Sequence, residues 1–319
     1  MPKFKIQHIT RYSYEIPVRD SANQIMLYPM SDDFQEVLSH HIRISGNPAI
    51  ETYSDIFGNK VGTFTHPHPH SELRIDSECE VQTRPRPLPD DTIASSEQWQ
   101  RLQQARFQFP EIEFLRLESF DALSEMQAAM DRIHQPELTP LQCSLKFNTF
   151  VFETFTYQKG ITTVDTTLDE IWRLHSGVCQ DFAHILLAML RYTGIPARYV
   201  SGYICPNKNG MRGEGATHAW VEASIPGYGW LGLDPTNNCI ANENHVRLAV
   251  GKNYYDCSPV RGTYRGTSNH ELHVAVTVGY EDGTPLPEPA TEPVLQVAAA
   301  PVRKPMNSFQ RYQEMQQQQ

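Results

Sequence analysis

The sequence predicts an α+β protein, with a β-sandwich-like N-terminal domain over residues 1–88 and a domain of helices and antiparallel strands over 89–280. Three observations carry this prediction. The first 85 or so residues read as short alternating runs punctuated by turns. The run after Gly177 carries one apolar helical stripe. Two strand-like runs containing His218 and Asp234 flank a Pro-Gly-Tyr-Gly turn.

In the N-terminal part, Phe4-Lys5-Ile6 starts an alternating run that Tyr12-Ser13-Tyr14 continues, and Ile56-Phe57-Gly58-Asn59 supplies a turn before Val61. Further strands are expected at 39–45 and 72–82. His66, His68 and His70 recur at every second residue, so on one extended segment they would share a face and could bind a metal ion. The intervening Pro67 and Pro69 favour an irregular edge instead, and no metal is expected. Arg84 to Asp91, rich in proline and charge, reads as a linker.

Helices come next. Leu123, Met126, Met130 and Ile133 line one face, and Thr139-Pro140 reads as an N-cap followed by proline at the first helical position. Leu141, Leu145, Phe152 and Phe155 approximate that helix's buried stripe, with Cys143 in the core. Thr167-Leu168-Asp169-Glu170 is a capping-box signal for a short helix through Leu174.

Cys179 opens the longest apolar-striped helix, whose buried residues are Phe182, Ile185, Leu186, Met189 and Leu190, and which Gly194 and Pro196 end. A thiol there sits at the positive end of the helix dipole among unpaired N–H groups, which favours a thiolate and offers donors to a developing oxyanion. Asp181, in the first turn, suits capping. His218, Trp220 and Glu222 share one face of a strand, with Ala219, Val221 and Ala223 on the other. Asp234 ends the returning strand 16 residues after His218, so a hairpin would bring the two together at its open end. Taken singly, each residue suits a structural role. Together they match a nucleophile, a base and an orienting carboxylate. Tyr157 and Trp172 are further oxyanion-donor candidates, with packing as their competing role. Pro206 to Gly215 reads as a flexible loop beside this site.

The segments G-V-C-Q-D-F-A-H, G-I-P-A-R-Y-V-S-G-Y, T-H-A-W-V-E and G-W-L-G-L-D-P-T-N-N resemble those of the bacterial transglutaminase-like family of cysteine-peptidase homologues. I-Q-H-I-T-R-Y-S-Y and D-I-F-G-N-K-V are similar to the β-rich domain that accompanies this core, and His245 to Gly266 also matches. The resemblance implies a papain-like core, with the nucleophile's helix packed on an antiparallel sheet. It implies Cys179 as nucleophile, His218 as general base and acid, and Asp234 as orienter. Gln180 follows the nucleophile, whereas in papain-like enzymes the oxyanion-hole Gln precedes it. Its backbone N–H is therefore the candidate donor. The implied chemistry is amide or peptide hydrolysis through an acyl-enzyme, with transfer to an amine or a non-catalytic scaffold as alternatives.

Composition narrows the partners. A net charge of −10 without basic clusters argues against nucleic acid, and no apolar run is long enough to span a membrane. The expected substrate is a peptide or protein. The six cysteines show neither a Cys-x-x-Cys pair nor zinc spacing, and the first residues lack a signal-peptide run. A cytoplasmic location with reduced thiols is expected. No acidic loop of calcium-binding type occurs, so no cofactor is expected. Leu272 to Tyr280 alternates as a strand, and residues 281–319, rich in proline and glutamine, are expected to be a disordered tail.

Overall fold

The computed structural model describes residues 1–118, 120–135, 137–205, 212, 217–280 and 292–297. Its first strands are β1 (Lys3–Ile25), β2 (Gln35–Ile44), β3 (Glu51–Ser54), β4 (Lys60–His66) and β5 (His70–Thr83). β1 serves two layers. Lys3 to Ser13 pair with β5, and Ser21 to Ile25 pair with β4. The register shifts between Ser13 and Val18, where Pro17 has no N–H to give a ladder. His66 and His70 lie on either side of the β4–β5 corner, with ring centroids 4.2 Å apart, while His68 is exposed. The three imidazoles therefore do not share one extended face, because the chain turns between the prolines.

α1 (Ser95–Ala105), α2 (Glu111–Phe114), α3 (Leu123–Ile133) and α4 (Pro140–Thr154) follow. The capping boxes at Thr139 and Thr167 form as their sequences specify. Thr139 Oγ accepts the Gln142 N–H at 3.2 Å, and Thr167 Oγ that of Glu170 at 3.3 Å. The buried stripe of α4 is Leu141, Cys143, Phe147, Val151 and the flanking Phe155. Leu145 and Phe152 are only half-buried, so the face is rotated from the one expected. After α4 come β6 (Thr156–Tyr157), α5 (Leu168–Leu174), β7 (Ser176–Gly177) and α6 (Cys179–Tyr192).

The second sheet comprises β8 (Ala197–Ile204), β9 (Thr217–Ile225), β10 (Gly229–Asp234), β11 (Cys239–Ile240) and β12 (His245–Gly251), in the order β11-β10-β9-β8-β12, and its paired strands are antiparallel. One face, carrying Ala219, Val221 and Ala223, shares a core with Phe182, Leu186 and Met189 of α6. Where β8 ends and β12 begins, Tyr203, Val246 and Leu248 join a core built with Phe4, Ile6 and Val81 of the N-terminal strands. Each large apolar side chain buried this way contributes on the order of 1.5–3 kcal/mol. The two halves of the protein thus share a core through this sheet.

That sharing corrects the expected boundary. α7 (Tyr254–Cys257) precedes β13 (Val260–Arg265) and β14 (His270–Tyr280), and both strands pair with β1. Residues 260–280 therefore complete the N-terminal sheets, because β1 offers an edge that the alternating run of β14 can cover. The stretch from Arg84 to Asp91 is held in place, its first residue donating N–H to Phe34 and Pro87 O accepting the Tyr228 hydroxyl at 2.9 Å. The expected tail lies outside the described residues except for β15 (Glu292–Val297), which pairs with β14.

Candidate active site

The candidate nucleophile stands where the sequence places it. Cys179 is the first residue of α6 and is partly exposed. Val178 O accepts from the N–H groups of Asp181 and Phe182, and helix geometry leaves the N–H groups of Cys179 and Gln180 ahead of the first intrahelical acceptor. Asp181 secures this helix start. Its Oδ2 accepts the Val178 N–H and the Thr162 hydroxyl, each at 2.7 Å. Burial raises the Asp181 pKa above the usual carboxylate value, against the pull of those two bonds.

His218 and Asp234 meet at the open end of the β9–β10 hairpin. The pairing of Leu233 with Val221 puts Asp234 opposite Trp220, one diagonal step from His218 on the same face. The carboxylate spans that step, so that Oδ2 accepts from His218 Nε2 at 2.9 Å. An ionised carboxylate only accepts, so the Nε2 proton is fixed and Nδ1 is left for the thiol. Nδ1 is buried with no partner in hydrogen-bonding geometry among the described residues. Cys179 nonetheless acts on the ring through charge and a hydrogen-bonding approach. A loose contact of this kind is common in ligand-free sites.

The electrostatics are set by burial and charge. Burial would strip the proton from His218, but Asp234 and then Cys179 reverse this and raise its pKa to about 10. Burial would likewise protonate Asp234, yet the His218 charge and the hydrogen bonds of His218 and His245 hold it far below the usual carboxylate range. The side chain is fully buried and accepts five donors. Oδ1 takes the N–H groups of Thr236 (2.9 Å) and Asn237 (3.2 Å). Oδ2 takes His218, the Asn237 amide (2.7 Å) and His245 Nε2 (3.2 Å). Hydrogen bonds to a charged group are worth about 1.5–3 kcal/mol each, which makes an ionised carboxylate tenable here.

Ligand atoms of His218, Asp234 and His245 all lie within 4.8 Å of one another. They are engaged with each other: both Nε2 atoms donate to one oxygen, so a metal ion would have to displace two hydrogen bonds.

The expected oxyanion donors fare differently. Gln180 lies in the first turn of α6, beside the thiol. Tyr157 lies on β6, whose parallel pairing with β7 sets it against Gly177 just before α6. Trp172 is a correction: its buried N–H donates to Glu125 of α3 at 3.2 Å, so packing holds it away from this role. The loop from Pro206 to Gly215 lies outside the described residues except Arg212, whose N–H donates to Asn237 Oδ1 at 2.7 Å. Sequence reasoning missed Asn237 and His245. The first was legible in the Asp-Pro-Thr-Asn-Asn turn, and the second only as a polar residue opening a mostly apolar strand.

A helix-borne thiol facing an imidazole and carboxylate on an antiparallel sheet is the architecture of the transglutaminase-like and papain-like fold class. Comparison with known sequences agrees. Residues 4–82 match the bacterial transglutaminase-like N-terminal region, and residues 127–235 match the transglutaminase-like superfamily. An uncharacterized protein of Mycobacterium leprae is 32% identical over 284 residues, covering 87% of this chain and 99% of its own. The chain therefore belongs to the bacterial transglutaminase-like family. A protein-glutamine gamma-glutamyltransferase of Pseudomonas aeruginosa is 30% identical over 154 residues, covering 47% of this chain and 21% of its own. Among solved structures, a candidate cysteine protease from Cytophaga hutchinsonii shares the fold with a TM-score of 0.69, at 20% identity over 88% of this chain and 91% of its own.

Proposed function

We propose that the protein is a thiol-dependent amide or peptide hydrolase that works through an acyl-enzyme on Cys179. The observation that carries this reading is the His218 ring, its Nε2 bonded to Asp234 and its Nδ1 left for the thiol. His218 Nδ1 takes the thiol proton, and Sγ attacks the substrate carbonyl carbon. The oxygen gains the negative charge, to be met by N–H groups at the start of α6. Collapse breaks the C–N bond while His218 returns the proton to the leaving amine. Water, deprotonated by the same ring, then attacks the thioester, releases the acid and restores the thiol. Asp234 stays ionised and holds the charged imidazole in orientation.

Transfer of the acyl group to an amine is the second reading, favoured by the partial likeness to the Pseudomonas glutamyltransferase. Both share the thioester and differ in what resolves it. The substrate is a peptide or protein. Six cysteines without a disulfide support action in a reducing cytoplasm. A peptide library digested with the full chain and read by mass spectrometry tests the reading. Cleaved or deamidated products that vanish in Cys179→Ala are expected, and a labelled primary amine appearing in glutamine-bearing peptides would move the assignment to transfer. Neither product would end both.

A further inference from the structure

We propose that His245 is a positioning residue of this site, fixing the Asp234 carboxylate so that Oδ2 is presented to His218. This inference rests on the hydrolase reading and adds a fourth member to the line of side chains behind the thiol.

The hydrogen bonding fixes how His245 acts. Its Nδ1 lies 3.1 Å from the Asn242 backbone N–H, which can only donate. Nδ1 is therefore the accepting nitrogen and Nε2 carries the proton. That proton points at Asp234 Oδ2, 3.2 Å away. The Asn242 side-chain oxygen, 3.3 Å from Nδ1, already accepts the Asn244 N–H at 2.9 Å and does not call for the other tautomer. His245 is thus a neutral, one-way donor to the carboxylate. Oδ1 is held by two backbone N–H groups, while Oδ2 is held by Asn237 on its own turn and by His245 from another strand. Removing His245 leaves a fully desolvated oxygen short of a donor and free to shift away from His218.

The fold is shaped to bring this ring in. β12 is not a neighbour of β10; β9 and β8 lie between them in the sheet. The chain leaving β11 crosses the sheet's face to reach His245, and two glycines make room. A Cβ on Gly232 would lie 2.5 Å from Ala241 Cβ, and one on Gly202 would lie 2.6 Å from the Trp220 ring. The Trp220 indole stacks on His218 (6.2 Å, 24°) and meets His245 edge-on (5.2 Å, 75°). One aromatic plate therefore holds both imidazoles that share the carboxylate, and His245 itself is buried.

The test is the rate of Cys179 alkylation by iodoacetamide, resolved by peptide mass spectrometry, at pH 6 and at pH 9. The ratio of the two isolates thiolate formed through His218 from thiol ionised by base. In folded His245→Ala the ratio is expected to fall at least tenfold. In His245→Gln it is expected to stay within about twofold of the parent, because the amide can donate to Asp234 and accept from Asn242 as the imidazole does. A parent protein reactive at pH 6 with an unchanged ratio in His245→Ala overturns the inference and leaves the hydrolase reading intact. So does a His245→Gln protein as impaired as His245→Ala. A parent inert at pH 6 removes the reading itself and this inference with it. A measurement on the unaltered chain needs no variant to fold. Long-range 1H–15N spectra between pH 6 and 8 should show His245 protonated at Nε2 and bare at Nδ1; an Nδ1–H tautomer or an imidazolium would refute the proposal.

Discussion

Asp234 and Glu222 are both carboxylates buried in the same sheet, each held by several donors, yet they are built for opposite ends. Glu222 is flanked by guanidinium groups. Arg198 approaches at 2.6 Å and Arg247 at 3.4 Å, and Arg247 also pairs with Asp32 while its N–H donates to Gln35 at 2.8 Å. Burial lowers the Arg247 pKa only to about 10, so its charge persists at neutral pH. This network bolts the sheet to the N-terminal strands and cannot cycle protons. Asp234 is flanked by imidazoles, each of which offers a second ring nitrogen behind the N–H it donates. The difference lies in the partner's chemistry, because the two carboxylates are buried alike.

The comparison can be broken or sharpened in order of expected effect. Cys179→Ala should abolish product formation, a loss of at least about 10³-fold, with little change in the unfolding midpoint. Asp234→Asn should cost on the order of 10³–10⁴ in turnover through the wrong His218 tautomer. Glu222→Ala should do the reverse, destabilising the fold by about 3–5 kcal/mol in urea titration because the buried Arg247 and the partly buried Arg198 lose the carboxylate they share. Its Cys179 reactivity per folded molecule should match the parent, and a matching loss of reactivity would erase the distinction between the two carboxylates. Thr139→Ala removes a helix cap far from both and should cost about 1 kcal/mol with no effect on the thiol.

The pH dependence of stability separates them as well. His218 holds its proton more tightly folded than unfolded, so its contribution is fully present below about 6.5 and declines as the pH rises toward about 10. Asp234, whose folded pKa is depressed, contributes above about 4 and loses that contribution on acidification. The stability gap between the parent and Asp234→Asn in thermal melts should therefore narrow as the pH rises from 7 toward 10 and begin to narrow as it falls below about 4. A constant offset would contradict the assigned pairing.

Much of the site could be read from the chain because it is local. The thiol at a helix start, the capping boxes at Thr139 and Thr167, and the hairpin bearing His218 and Asp234 all depend on residues within one or two elements. What escaped depends on three dimensions. His245 reaches Asp234 only because the chain crosses over Gly232, and no spacing encodes that crossing. Trp172 looked free to serve an oxyanion because its partner Glu125 lies 47 residues away on another helix. Leu272 to Tyr280 reads as a strand, but only the vacant edge of β1 decides which sheet it joins.

Cys239 provides the internal control for the central claim. It is partly buried like Cys179, but burial, helped by the Asp234 charge, pushes its thiol up to about 12. Site-resolved iodoacetamide labelling at pH 6 should therefore modify Cys179 well before Cys239, and His218→Ala should erase that lead. Equal, slow labelling of both thiols in the parent, or a Cys179 lead that survives His218→Ala, would contradict the convergence of sulfur, imidazole and carboxylate.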